Sequence, residues 1–224
     1  MTTPLAQRLK DETHTLHRAA ERSRFMGALL QGRMDRPSYC ALLRNLHAIY
    51  AALEPALERH AQHPSVAPVL LPGLWRRAAL AADLQALHGA AWAEALALQP
   101  ACERYVQRLH ELDAAQPGLL LAHAYVRYLG DLSGGQLLRG IVRRSLQPPA
   151  GAGTAFYEFG TPAETLALVR AFRRGLDAVV VDAGTADALV AEAVLAFELH
   201  RSLFDELAPE RDAASGPEPA LASG

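Results

Sequence analysis

Tyr125-Val126-Arg127-Tyr128-Leu129-Gly130-Asp131-Leu132-Ser133-Gly134-Gly135-Gln136 is the stretch whose reading decides the fold. It lies inside a segment, 117–146, that is rich in Leu, Ala and Arg with apolar residues recurring at three and four, opened by Pro117 and stopped by Pro148-Pro149. That pattern predicts one long helix, and each of its three central glycines costs the helix roughly 1 kcal/mol relative to alanine. A helix that accepts three glycines around an aspartate either bends there or lets something approach its backbone closely. Packing of small residues against a neighbouring helix is the plain alternative, adequate for one glycine and less so for three. Residues 132–136 also match the signature peptide of ABC-transporter ATPases, but a nucleotide cradle needs a phosphate-binding lysine after a glycine-rich loop. The only lysine is Lys10, in Arg-Leu-Lys-Asp, so that reading is excluded.

The rest of the chain is also helical in pattern. Helices are predicted over 4–22, 25–30, 35–59, 74–87, 100–114 and 185–207, with another opening at the capping box Thr161-Pro162-Ala163-Glu164. Asp35 is the expected N-cap of the third, with Pro37 in its first turn, and Thr185 the expected cap of the last. The proline-rich stretch 63–73 and the Gly/Pro stretch 147–153 are connectors, and Val179-Val180-Val181, the only β-like run, falls within a helical pattern. The fold class is all-α: a single-domain multi-helix bundle of roughly seven to nine helices over 1–208, followed by a disordered tail at 209–224.

The chain has 224 residues, half of them hydrophobic, and a formal charge of −2, which gives no support to nucleic acid as a partner. Cys40 and Cys102 form no paired motif and read as free thiols in a reducing compartment, the cytoplasm. The first ten residues lack a secretory apolar core, and no apolar run approaches the roughly 20 residues that span a bilayer, so no membrane anchor is expected.

A second stretch, Leu9-Lys10-Asp11-Glu12-Thr13-His14-Thr15-Leu16-His17-Arg18-Ala19-Ala20-Glu21, puts Lys10, His14, His17 and Glu21 near one helix face. A satisfied structural histidine is one reading. A zinc half-site is another, but no further ligand motif with suitable spacing exists.

Together the two stretches resemble the heme oxygenases of the mammalian and bacterial type. The likeness extends to His47-Ala48-Ile49-Tyr50-Ala51-Ala52-Leu53-Glu54, Arg77-Ala78-Ala79-Leu80, Phe156-Tyr157-Glu158-Phe159 and Phe197 through Leu207, covering about residues 5–208. It implies that heme b, both cofactor and substrate, is sandwiched between a proximal helix and a glycine-kinked distal helix. It implies that His17 is the iron ligand, with Glu21 near its ring. Gly130, Gly134 and Gly135 would let the distal backbone lie over the heme plane. Asp131 would anchor ordered water on the oxygen side of the iron, supported by Tyr50, Arg127 and Tyr128. Lys10 and Arg173 would meet the propionates, with Tyr125 and Phe197 as further contacts and His14 where the family often has a second lysine.

The implied activity is cleavage of heme by O2 to biliverdin, carbon monoxide and ferrous iron. No flavin or nicotinamide fingerprint is present, so electrons would come from an external ferredoxin, flavodoxin or flavin reductase. The expected protein is a bacterial, cytoplasmic monomer. The competing readings are a non-catalytic heme carrier or sensor on the same fold, and a non-heme helical enzyme such as a thiaminase-like protein or a di-iron bundle. The last needs Glu-x-x-His pairs, and Glu12 and Glu58 lack them.

Overall fold

Helix starts follow local chemistry. Ser23 accepts a hydrogen bond from the Met26 N–H at 3.3 Å and opens α2 (Arg24–Leu30), after α1 (Leu5–Glu21). Asp35 accepts from the Ser38 N–H at 2.8 Å and, with Pro37, opens α3 (Arg36–Arg59) as expected. Thr161 and Glu164 form the expected reciprocal capping box of α8 (Pro162–Ala178).

The cap of α9 (Ala183–Leu207) is Asp182, not Thr185: its carboxylate takes both the N–H and the hydroxyl of Thr185. Either residue type suits an N-cap, but the carboxylate offers the helix end a full negative charge. The valines 179–181 are not helical, because α8 ends at Ala178, and Val180 stands almost fully exposed. The helix expected from residue 74 begins instead at Arg77, as α4 (Arg77–Leu87), because Pro72–Leu74 forms a separate 3-10 turn. Without a side-chain cap of its own, α4 borrows one: the buried Glu54 carboxylate of α3 accepts the Arg77 N–H at 3.2 Å. A short α5 (Trp92–Ala95) was not signalled by periodicity, being one turn long. The remaining helices are α6 (Pro100–Ala115) and α7 (Leu120–Leu146).

This computed structural model describes residues 4–149 and 152–208, and the tail expected at 209–224 lies outside them. Among the described residues there is no strand, and no helix is long and apolar enough to cross a membrane.

α9 is the hub, packing against α1, α2, α6 and α7. The first half of α7 explains why it runs through the centre: Leu120, Leu121, Ala122, His123, Ala124 and Val126 are all buried, and Tyr125 between them is half-buried. α3 shows the complementary pattern, burying Tyr39, Leu43, Leu46, Tyr50, Leu53 and Leu57 at alternating steps of four and three. α1 and α7 lean on α9 side by side and leave a cleft between them, bridged at one end where Thr13 Oγ1 lies 3.4 Å from the Tyr125 hydroxyl.

A buried polar cluster locks α6, α7 and α9 together. Glu192 on α9 accepts a bidentate pair from Arg108 at 2.6 and 3.0 Å, and faces His123 Nε2 at 2.9 Å. Burial holds the His123 imidazole below its usual range, so the neutral ring donates from Nε2 to Glu192, and Nδ1 accepts from the Tyr105 hydroxyl at 3.2 Å. Burial alone would raise the Glu192 carboxyl. The hydrogen bonds from His123 and Arg108 outweigh it and bring the group from 4.5 down to about 2. A carboxyl depressed in the folded state contributes stability above its unfolded value and loses it as pH falls. The protein therefore loses on the order of 3 kcal/mol from this group alone between pH 4.5 and about 2. Urea unfolding of Glu192→Gln should show a lower stability at neutral pH and a flatter decline on acidification than the wild type.

Candidate active site

The cleft between α1 and α7 comprises two cavities of about 340 and 560 Å³ that share His17, Val126, Gly130, Ser133 and Phe197 as lining. His17 projects from α1 with its side chain 47% exposed, its ring edge-on to Phe197 of α9 at a centroid distance of 6.0 Å. Glu21, one turn on, brings a carboxylate oxygen to 3.7 Å from His17 Nδ1. That contact occupies the Nδ1 side and leaves Nε2 as the nitrogen suited to a metal.

Across the cleft the glycines of α7 divide into two jobs. A Cβ built at Gly130 would meet nothing within 4 Å, and one at Gly134 would meet only Leu138 of its own helix at 3.9 Å. The bare backbone at both positions therefore lines open space. Gly135 is buried and faces Tyr157, whose carbonyl oxygen and ring would stand 3.6 and 3.7 Å from an added Cβ. It serves the approach of the 152–159 loop, although it also lines the smaller cavity. α7 runs as helix without a break through all three positions.

Asp131 lines the smaller cavity as well and sits within a buried polar group. One carboxylate oxygen accepts from Arg127 Nη2 at 2.8 Å, and the other takes a short hydrogen bond from the Tyr50 hydroxyl of α3. Burial raises the Asp131 carboxyl above its ordinary value, an effect the Arg127 charge and Tyr50 only partly offset. Burial also pushes the Tyr50 phenol well above its own usual value, so it remains a donor. Burial opposes the Arg127 charge, but the attraction of Asp131 prevails and keeps it a cation. Tyr50 lines neither cavity and reaches the site through Asp131 and through Arg127, whose guanidinium lies over its ring at 5.4 Å. Tyr128, expected in the same network, is not hydrogen-bonded to it: the ring packs 5.7 Å from Tyr50, and its buried hydroxyl has no hydrogen-bond partner among the described residues.

The larger cavity gathers the polar residues of the other end. Lys10, His14, Tyr125 and Arg173 all line it, from three helices. Lys10 and Arg173 are exposed, which suits cations that meet the anionic rim of a ligand whose body is buried.

The shape is thus a slot with a histidine on one wall, side-chain-free backbone on the other, cations at its mouth and an apolar floor. A flat, anionic, iron-bearing macrocycle fits that chemistry. The heme oxygenase family model matches residues 3–206. The chain belongs to the heme oxygenase family. This heme oxygenase is 41% identical over 92% of its length to "Heme oxygenase 1" of Nostoc sp., covering 87% of that protein. It is 39% identical over 92% of its length to "Heme oxygenase 1" of Homo sapiens, covering 73% of it. Among solved structures, heme oxygenase-2 from Synechocystis sp., in complex with heme and NO, superposes with a TM-score of 0.88 at 39% identity, covering 92% of this chain and 85% of that one.

Sequence reasoning missed several residues that the heme oxygenase fold brings to this slot. His200 and Phe204 of α9 line the smaller cavity, and His200 contacts Arg127. Their spacing from Phe197, three and seven residues, places all three on one helix face, which was the available signal. Tyr157, from the loop after α7, was visible only as part of the family likeness, since nothing local predicts where a loop returns.

The open space at Gly130 makes a specific prediction. Gly130→Leu should fold, and by helix propensity be more stable by up to about 1 kcal/mol. Thermal unfolding checks the first part. Heme titration checks the second: the added side chain stands in the slot and should weaken heme binding by more than tenfold.

Proposed function

We propose that this enzyme opens heme b with O2 to biliverdin, carbon monoxide and ferrous iron, with His17 Nε2 as the iron ligand. The observation that carries the reading is that His17 and the bare backbone at Gly130 and Gly134 face one cleft from opposite helices. Heme supplies the iron that activates oxygen and the porphyrin carbon that is oxidised. The protein binds, orients and meters protons.

Glu21 steadies the His17 ring from its Nδ1 side, which fixes the ring plane and adds to its basicity. Gly130 and Gly134 press backbone toward the macrocycle and shape the space above it. Asp131, held at both oxygens by Arg127 and Tyr50, orients ordered water and releases protons through it. Burial raises the proton affinity of its carboxyl, against the pull of Arg127 and Tyr50, which suits a group that exchanges protons with water. Water between Asp131 and the substrate would keep the carboxyl out of direct contact with the reacting atoms and would meter its proton. Lys10 and Arg173, with Tyr125 and His14 beside them, meet the propionates and set the rotation of heme in its plane. Phe197 packs under the His17 side.

Electrons come from a separate ferredoxin, flavodoxin or flavin reductase. Two buried thiols, Cys40 and Cys102, accord with a reducing cytoplasm, and the protein is read as a bacterial monomer. A carrier or sensor role is disfavoured because the Asp131 arrangement has no use in mere binding.

Heme, a reductant and air should convert the Soret band to a biliverdin spectrum. A Soret band that persists through turnover conditions would favour the carrier. Asp131→Ala should still bind heme yet lose at least tenfold in biliverdin yield. His17→Ala should lose the ordinary proximal ligation, seen as a changed ferric heme spectrum.

A further inference from the structure

One residue of the slot is not accounted for by the reading above. His200, on α9, is 7% exposed and lines the smaller cavity one turn beyond Phe197. Its Nε2 lies 3.1 Å and its Nδ1 3.4 Å from Arg127 Nη1, while the other terminal nitrogen of the same guanidinium, Nη2, donates to Asp131 at 2.8 Å. The two contacts grip the fork of Arg127 from opposite prongs. Phe204 braces the imidazole with its ring edge-on at 4.3 Å.

A guanidinium has donors and no acceptor, so a ring nitrogen beside it must present a lone pair. Nothing else in the tether is negotiable: a protonated imidazolium would set two cations against each other in a buried site. Burial, and secondarily the Arg127 charge, hold the His200 imidazole well below its ordinary range, in agreement with a neutral ring.

We propose that His200 is a positioning residue of the distal network: Nε2 of its neutral ring accepts from Arg127 and thereby fixes the guanidinium that orients Asp131. The proposal deepens the oxygenase reading and rests on it for its consequence in turnover, while the tether is a contact between two side chains of the protein itself. An arginine has several rotatable bonds, and its planar fork discriminates only when both ends are held. Asp131 alone holds one prong. With His200 the group has two fixed points, so the carboxylate that it clamps keeps one orientation toward the slot.

Three measurements test this. In the heme-free protein at neutral pH, a nitrogen-15 correlation spectrum of the histidine rings should show His200 as the neutral Nδ1–H tautomer with a lone pair on Nε2. A ring protonated on both nitrogens, or carrying its proton on Nε2, overturns the proposal without any variant being made. Next, His200→Leu removes the acceptor at similar volume, whereas His200→Gln returns an amide oxygen near the place of Nε2. In the ferric heme complex, the pH midpoint of the acid–alkaline spectral transition should move by about one unit in His200→Leu and return close to wild type in His200→Gln. Biliverdin yield should follow, falling about tenfold in His200→Leu and recovering in His200→Gln. Equal shifts in the two variants would mean a packing role only, and an unshifted His200→Leu would remove the tether. If the wild type itself leaves heme intact while the tautomer is as stated, the oxygenase reading fails and the tether stands. If the wild type makes biliverdin and His200→Leu matches it in midpoint and yield, the tether alone fails.

Discussion

Two helices must stand far enough apart to admit a flat molecule, yet close enough to touch both of its faces. That spacing is the constraint on which the rest of the structure depends. α9 supplies it, because α1 and α7 both pack on it, and Phe197 fills the floor between them. A slot of this kind would collapse if its walls carried only apolar side chains, since burial favours closure. It is kept open by stiff framing: the Glu192 cluster ties α7 to α6 and α9, and the Thr13–Tyr125 contact pins α1 to α7 at one end.

The loop after α7 contributes more than a connection. Asp83 of α4 accepts the N–H groups of Ala155 and Phe156 at 2.9 and 2.8 Å, and the Tyr39 hydroxyl donates to the Gly153 carbonyl at 3.2 Å. The buried Arg76 donates to the Phe156 and Glu158 carbonyls and stacks on Phe159 at 3.9 Å. Such anchoring satisfies backbone groups that a buried loop would otherwise leave unpaired. It also presses Tyr157 against Gly135, which fixes the second half of α7 behind the slot. The distal wall is thus held from behind by a loop and from the side by α9, while its own glycines supply no side chains to hold it.

Polar groups in the slot are arranged so that charge is compensated inside and free at the mouth. Arg127 and Asp131 neutralise each other in a region where either alone would be costly. Tyr50, with its phenol pushed up by burial, keeps its proton and donates it to Asp131. Lys10 and Arg173 sit exposed on the rim, where a charge costs little and can meet an anion. The division places the paired charges deep and the exposed cations shallow.

Much of this was legible in the chain. Capping chemistry is local, so Asp35 and the Thr161 box could be read directly, and the three glycines around Asp131 announced an unusual helix because their cost must be offset by something. Helical spacing put Lys10, His14, His17 and Glu21 on one face, and Arg127 and Asp131 one turn apart. What spacing within one helix could not decide was which faces of different helices meet. That Tyr50 of α3 reaches Asp131 while Tyr128, three residues before it, does not, is settled by packing. So is the split between Gly130 and Gly134, which open on the slot, and Gly135, which receives a loop. His200 entered the network for the same reason: it lies 73 residues from Arg127 in the chain, and only the crossing of α7 and α9 makes them neighbours. Local sequence determined the helices and the chemistry each one carries. The tertiary structure alone decided which of those groups share a site, because long-range contacts are set by the summed burial of many side chains and not by any single motif.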